Sequence, residues 1–277
     1  MAKFVRPATV PFPADNPYSP DKAELGRMLF FDPLLSGSCA TCHHPRLAWG
    51  DGLPRAIGEA RGALPLRSPT MLGAAWLEAF AWDGKFPSLE SVGFTPMTSA
   101  ANMGRNEHEL LRDLSQSELY RAAFGKIFPG EGVSRSSLER ALATFERTIV
   151  PGLAPFDRWI AGDEAAVSAA AQRGFDLFTG RAECAQCHAG WRFTDDSFRD
   201  IGTGGDADLG RSRLFPDSQR LRHAFKVPTL RDVARRAPYM HDGSLPAFES
   251  VIALYARGGV ERPSRDEHIH PLALNAA

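Results

Sequence analysis

Apolar side chains recur at helical spacing in several stretches of the chain, and each stretch opens on residues suited to start a helix. Ser19-Pro20 supplies an N-cap and a first helical position ahead of Leu25, Met28 and Leu29, the pattern of an amphipathic helix. Ser136-Ser-Leu-Glu139 reads as a capping box opening a helix through Leu142, Phe145 and Ile149. Residues 163–178 continue as an alanine-rich helix ending at Phe178. Strand signals are few and short. Residues 44–75 and 190–228 are rich in Gly, Pro, Arg and Asp and read as long loops. Pro151-Gly-Leu-Ala-Pro155 interrupts the helices and marks the expected boundary between an N-terminal domain, residues 1–150, and a C-terminal one, residues 151–277. No apolar run approaches the roughly 18 residues of a membrane helix, so no membrane span is expected.

Composition narrows the class. A chain of 277 residues is about two domains long. Its 43% hydrophobic and 23% charged residues are those of a folded globular protein, not a disordered one. Thirty-two basic residues against 33 acidic ones argue against a general nucleic-acid binder. Four cysteines are too few for a disulfide scaffold, so their arrangement carries the information.

All four cysteines fall in two copies of one pattern, Cys39-Ala-Thr-Cys42-His43 and Cys184-Ala-Gln-Cys187-His188. C-x-x-C-H is the attachment signature of c-type haem: two thiols form thioethers with the vinyl groups, and the adjacent imidazole ligates the iron. A thioredoxin-like C-x-x-C would be single and needs no histidine after it. A zinc site would bring its halves within about 15–20 residues, whereas more than 140 separate these. Two covalently bound haem c groups are therefore expected, in an all-α fold of two cytochrome c-like domains with long haem-wrapping loops and little β. Haem c is attached outside the bacterial cytoplasm, so a periplasmic location follows. Met1-Ala-Lys-Phe-Val runs into Pro7, Pro11 and Pro13 without a signal-peptide core, so the leader is expected to have been removed.

Further segments resemble the bacterial di-haem cytochrome c peroxidases and, within them, the MauG-like branch. They are Leu25-Gly-Arg-Met-Leu-Phe-Phe-Asp-Pro33, Trp82-Asp-Gly-Lys-Phe-Pro-Ser-Leu89, Gly174-Phe-Asp-Leu-Phe178, Lys226-Val-Pro-Thr-Leu-Arg231 and Ala237-Pro-Tyr-Met-His-Asp-Gly243. The resemblance implies a peroxide-reactive first haem held by His43 and a six-coordinate second haem held by His188. It places Trp82 between the rings as an electronic coupler, against the alternative of a packed core tryptophan. The second haem needs a distal ligand, methionine in ordinary peroxidases and tyrosine in the MauG-like branch. In Val251-Ile-Ala-Leu-Tyr255-Ala-Arg-Gly-Gly259 the candidate is Tyr255, with Met240 as a nearby alternative. A hard phenolate favours ferric and higher-valent iron over ferrous.

The first haem differs from the ordinary pattern. No histidine lies between His44 and His108, so the distal histidine of ordinary peroxidases is missing and the iron is expected to be open to peroxide. Met103, 60 residues after His43, is an alternative ligand. Where the family carries a catalytic glutamate, Asn102 stands; an amide hydrogen-bonds but cannot shuttle a proton, which leaves Glu107 or His108 as substitutes. The family also holds one Ca²⁺, yet Arg67 replaces its asparagine ligand and Arg236 and Pro238 occupy the carbonyl positions. A guanidinium beside a dication is unfavourable, and the calcium stays open.

Residues 210–236 carry eight Arg or Lys, read either as a docking patch for an acidic partner or, as the preferred reading, as partners of haem propionates and of one another, through Arg211, Arg213 and Arg231. Three functions result. The leading one uses hydrogen peroxide to form a high-valent di-haem state that oxidises Trp or Tyr of a partner protein. The second is a conventional peroxidase that reduces peroxide with electrons from a small cytochrome or cupredoxin. The third is a non-enzymatic di-haem electron carrier. A surface tryptophan of the MauG type is Ala182 here, with Trp191 as another exit candidate, so tryptophylquinone synthesis is not carried over.

Overall fold

A computed structural model describes residues 2–35, 37–59 and 61–273. Among them are eight α-helices, short 3-10 turns and one two-stranded antiparallel ribbon. The fold is thus all-α, as expected. The chain packs as two compact units, one of residues 9–80 and 86–150, the other of residues 1–8, 81–85 and 151–277. The expected single cut at 150 misses two exchanges: residues 1–8 and the Ala81–Lys85 loop belong with the C-terminal unit.

The N-terminal unit is built on a close helix crossing. Helix α1 (Pro20–Phe31) is capped by the Ser19 side chain, which accepts from Lys22 N. Helix α5 (Arg135–Arg147) begins earlier than the sequence pattern suggests, because Ser134 and Ser137 form the reciprocal capping box, not Ser136 and Glu139. Leu25, Leu29 and Phe30 of α1 meet Leu138, Leu142 and Phe145 of α5. Helices α2 (Leu89–Thr98), α3 (Glu107–Gln116) and α4 (Glu118–Ile127) close this core with Phe94, Met97, Leu110, Leu114 and Phe124. Each fully buried Leu or Phe contributes roughly 1.5–3 kcal/mol.

The C-terminal unit has a smaller, aromatic core. Helix α6 (Pro155–Ile160) and helix α7 (Ala169–Thr179) bring Phe156, Trp159 and Phe175 against Phe193 and the N-terminal Phe4, with ring centroids 4.9–6.0 Å apart. The expected helix over 163–178 starts only after Ser168, its N-cap; a 3-10 turn occupies Glu164–Ala166. Arg231 anchors this core: two of its nitrogens donate to Asp157 at 2.7 and 2.8 Å and a third to Trp191 O at 2.6 Å. The ribbon pairs β1 (Phe198–Arg199) with β2 (Phe225–Lys226), and α8 (Phe248–Arg257) completes the unit.

Gly26 sets the separation of α1 and α5, because a Cβ built there would lie 2.0 Å from Ala141 O. Gly26→Ala is expected to force the helices apart at a cost of about 1–3 kcal/mol or more, read as a lower denaturation midpoint. An unchanged midpoint would contradict this packing.

Candidate functional site

Both C-x-x-C-H motifs fold the same way. Cys39–Thr41 and Cys184–Gln186 are single 3-10 turns, and the histidine N–H of each motif returns to the first cysteine carbonyl at 2.9 Å. All four thiols are free. Burial pushes Cys39 up to about 12 and Cys187 up to about 11, and raises Cys42 and Cys184 as well. Burial thus disfavours the thiolate at all four positions.

Each imidazole is oriented by one backbone carbonyl. His43 Nδ1 donates to Trp49 O at 3.3 Å, and His188 Nδ1 to Phe193 O at 2.9 Å. Burial lowers both histidine pKa values, and with Nδ1 committed to a carbonyl the Nε2 of each ring is the nitrogen left over. The carbonyls are presented by left-handed backbone, φ 60° at Trp49 and 55° at Phe193. Thr70 Oγ1 donates to Ala48 O at 2.7 Å and Thr229 Oγ1 to Arg192 O at 2.5 Å, fixing the peptide just before each acceptor. This donor set fits a haem c at each motif.

A second correspondence links the two halves. Phe80-Ala-Trp82-Asp-Gly84-Lys-Phe86 and Tyr239-Met-His241-Asp-Gly243-Ser-Leu245 each close through an antiparallel bridge between their end residues. Each leads, through Pro87 or Pro246, into a ten-residue helix, α2 or α8. In this register Trp82 matches His241, and Pro96 inside α2 matches Tyr255 inside α8. Burial raises the Tyr255 hydroxyl, and repulsion from Cys187 and then Cys184 adds to it, so the phenol lies within reach of the second haem turn's charges. No hydrogen bond ties that hydroxyl among the described residues. Met240 is at the bend of its loop with φ 71°.

Trp82 is half-buried in the C-terminal unit. Its carbonyl accepts from Lys226 N at 2.8 Å and its ring meets His241 edge-on at 6.4 Å. His241 stacks on Phe225 at 3.6 Å and bonds Asp208 Oδ2 at 2.5 Å. Burial alone would raise Asp208, but the His241 hydrogen bond and charge hold it low. Gly84 has φ 72°, and a Cβ there would lie 2.2 Å from Arg211 Nη1 and 2.3 Å from Phe198 Cζ, which explains the glycine of W-D-G. Burial depresses the Lys226 ammonium to about 8.

The distal candidates are less concentrated. Asn102 is half-buried, with its carbonyl accepting from Glu59 N at 2.6 Å. Glu107, the first residue of α3, is half exposed and lies 3.5 Å from Arg135, while His108 is exposed. Met103 packs against the hydrophobic core of the N-terminal unit. Arg67 is buried, and the Arg236 guanidinium donates to Thr229 O. Among the described residues no cluster of three His, Cys, Asp or Glu could hold a metal ion. Of the preferred reading, that Arg211, Arg213 and Arg231 pair with haem propionates or with one another, no pairing among the three is observed: Arg231 is bound by Asp157, Arg211 by Asp83 O, and Arg213 is exposed.

Sequence reasoning passed over Glu146. Its side chain is buried in α5, burial lifts it to about 7, and its charge raises Cys39. The neighbouring Arg147 is taken by Glu90, at 2.6 and 2.9 Å.

Residues 20–165 match the family model of the di-haem cytochrome c peroxidases, and the chain belongs to that family. It is 47% identical over 283 residues to the methylamine utilization protein MauG of Methylorubrum extorquens, across 99% of this chain and 79% of that protein. To the MauG of Methylophilus methylotrophus it is 42% identical, across 99% and 83%. A crystal structure of a MauG-like protein associated with microbial copper homeostasis superposes with a TM-score of 0.89 at 28% identity, covering 100% of this chain and 90% of that one. The protein is a di-haem, peroxidase-like oxidoreductase of the MauG kind. No described helix is long and apolar enough to cross a membrane.

Because the folded Glu146 holds its proton up to about pH 7 and an unfolded glutamate only to 4.5, its contribution to stability is full below pH 4.5 and is lost as pH rises through 7. Glu146→Gln is expected to flatten that fall, worth on the order of 2–3 kcal/mol. Denaturation midpoints measured from pH 4.5 to 7.5 check it; parallel curves for both proteins would refute the assignment.

Proposed function

We propose that the chain is a periplasmic oxidoreductase that uses hydrogen peroxide to withdraw electrons from Trp or Tyr side chains of a partner protein. Two haem c groups would be bound as thioethers through Cys39 and Cys42 and through Cys184 and Cys187, with His43 and His188 as axial ligands. The observation that carries this reading is the pairing of Pro96 with Tyr255 at the same position of two equivalent helices. Proline offers no side-chain donor, so α2 would supply no protein ligand to the first haem; tyrosine offers a phenol, so Tyr255 would give the second a hard oxygen ligand.

Bound haem supplies the two-electron oxidation by peroxide. The chain's own residues do the rest. Trp49 O and Phe193 O hold the two imidazoles in one tautomer and raise their basicity. Trp82 would relay charge between the haems. Asn102 would donate an amide hydrogen bond to peroxide, and Glu107 and His108 would be the nearby candidates to move its proton. Calcium is the cofactor these residues favour least, because a buried guanidinium at Arg67 replaces a neutral amide. The relatives' role in methylamine utilization extends here as part of the same proposal, with the partner a protein of methylamine oxidation. Ala182 lacks the indole expected as the exit, so the route out differs.

Mixing the as-isolated ferric protein with hydrogen peroxide is expected to shift the Soret band rapidly and to give a new near-infrared charge-resonance band. No change until one haem is reduced would instead support a conventional peroxidase fed by a small cytochrome or cupredoxin. No response in either state would leave an electron carrier. Independently, Tyr255→Phe is expected to change the ferric spectrum of the second haem; an unchanged spectrum would remove Tyr255 from its ligands.

A further inference from the structure

Residues 210–222 form a run of tight turns, with Leu214 N bonded to Arg211 O, Phe215 N to Ser212 O, Ser218 N to Phe215 O and Leu221 N to Ser218 O. Four arginines emerge from it, and they divide sharply. Arg211 turns inward: Nη1 donates to Asp83 O at 2.6 Å, and its guanidinium lies over Phe198 at 3.9 Å and Phe215 at 5.1 Å. Arg213, Arg220 and Arg222 point to solvent. None of these three forms an ion pair with a carboxylate among the described residues, and Asp217 is the only acid in the run. Within the turns, Leu214 and Phe215 are 40% and 47% exposed and line a shallow groove with Pro216, Asp217 and Ser218.

We propose that this loop is the docking surface for an acidic redox protein that gives up electrons to the haem centres. Arg222 Nε donates to His223 Nε2 at 3.3 Å and Asp208 feels the charge of Arg213, but three exposed guanidiniums against Asp217 leave the loop net positive, a charge that an acidic partner complements. An exposed apolar pair within a charged setting is the anatomy of a transient interface, with a small desolvated centre and a polar rim that steers encounter. The loop is also wired to the right place. Phe215 rests on Arg211, Arg211 holds the Asp83 carbonyl, and Asp83 follows Trp82 in the chain. The inference rests on the reading of Trp82 as a carrier of charge. The electron count closes: two partner molecules each lose one electron, and hydrogen peroxide takes up both with two protons and leaves as two waters.

The test uses the haem-loaded protein, peroxide and two reduced donors of opposite charge: plastocyanin, an acidic cupredoxin, and mitochondrial cytochrome c, a basic protein. Plastocyanin is expected to be oxidised faster, with a rate that falls steeply as salt is raised. Reversing the three charges together (Arg213→Glu, Arg220→Glu, Arg222→Glu) is expected to slow it by about tenfold or more and to flatten or invert its fall with salt. The corresponding lysine variants should restore both. Every rate is divided by that of the same variant's Soret change with peroxide alone, so a misfolded variant does not count as a docking defect. Wild-type plastocyanin rates and salt slopes in the glutamate variant would overturn the proposal, as would a preference for cytochrome c. So would a concentration-dependent dimer in sedimentation that Phe215→Ser dissolves, which would make the patch a self-association surface. If peroxide itself produces no spectral change in the wild-type protein, the peroxidase reading fails and the docking proposal falls with it.

Discussion

The bond from a histidine Nδ1–H to a backbone carbonyl organises each half of this protein. A neutral imidazole can ligate iron only if its proton sits on the other nitrogen, and only a fixed acceptor decides which nitrogen that is. Supplying the acceptor is demanding. The chain must turn back within six residues of the histidine, which it does through left-handed backbone at Ala48, Trp49 and Phe193. Such conformations cost on the order of 1 kcal/mol or more at each non-glycine residue, so something must hold them. Thr70 and Thr229 do so, each with one hydroxyl bond to the preceding carbonyl. The long loops that looked structureless in composition exist to deliver those threonines.

Seen this way, the two halves are variations on one plan. The turn, the returning carbonyl, the Pro-Thr pair, the bridged D-G loop and the ten-residue helix recur in the same order. What differs is chemistry carried by single side chains on a shared frame. Proline at position 96 removes an N–H from α2 and presents only carbon, whereas Tyr255 presents a phenol whose ionisation burial disfavours. Trp82 and His241 occupy matching sites in their loops, and the indole meets the imidazole edge-on. One backbone thus carries a proline in one half and a phenol in the other without any change of fold.

Much of this was legible in the sequence for a physical reason: each C-x-x-C-H motif folds as one contiguous helical turn, so local spacing reports it. Helix α1 was legible too, because Ser19 and Pro20 act only on their own neighbours. Boundaries failed where capping had competitors. Four polar residues, Ser134, Arg135, Ser136 and Ser137, precede Leu138, and the choice of Ser134 depends on tertiary placement of the whole helix against α1. The transfer of Ala81–Lys85 to the C-terminal unit was invisible for a similar reason. It depends on Lys226 N and Arg211, which lie more than 120 residues away in sequence.

Charge was the least legible property, and Glu146 and Glu90 show why. Both carboxylates pack near the same Arg147. Glu90 receives two bonds from it and one from Asn16, and it is held below its ordinary pKa against the opposing effect of burial. Glu146, one residue from that arginine in sequence, faces the other way around α5 and keeps its proton to near neutral pH. On a helix, adjacent residues diverge by about 100°, so sequence neighbours are poor ion-pair partners and a third element must bring the right one. The same logic separates Arg211 from Arg213: one turn of backbone directs the first to Asp83 O and the second to solvent. The sequence shows the arginines as one basic run, and only the backbone directions separate those bonded within the fold, Arg211, Arg231 and Arg236, from the exposed Arg213, Arg220 and Arg222.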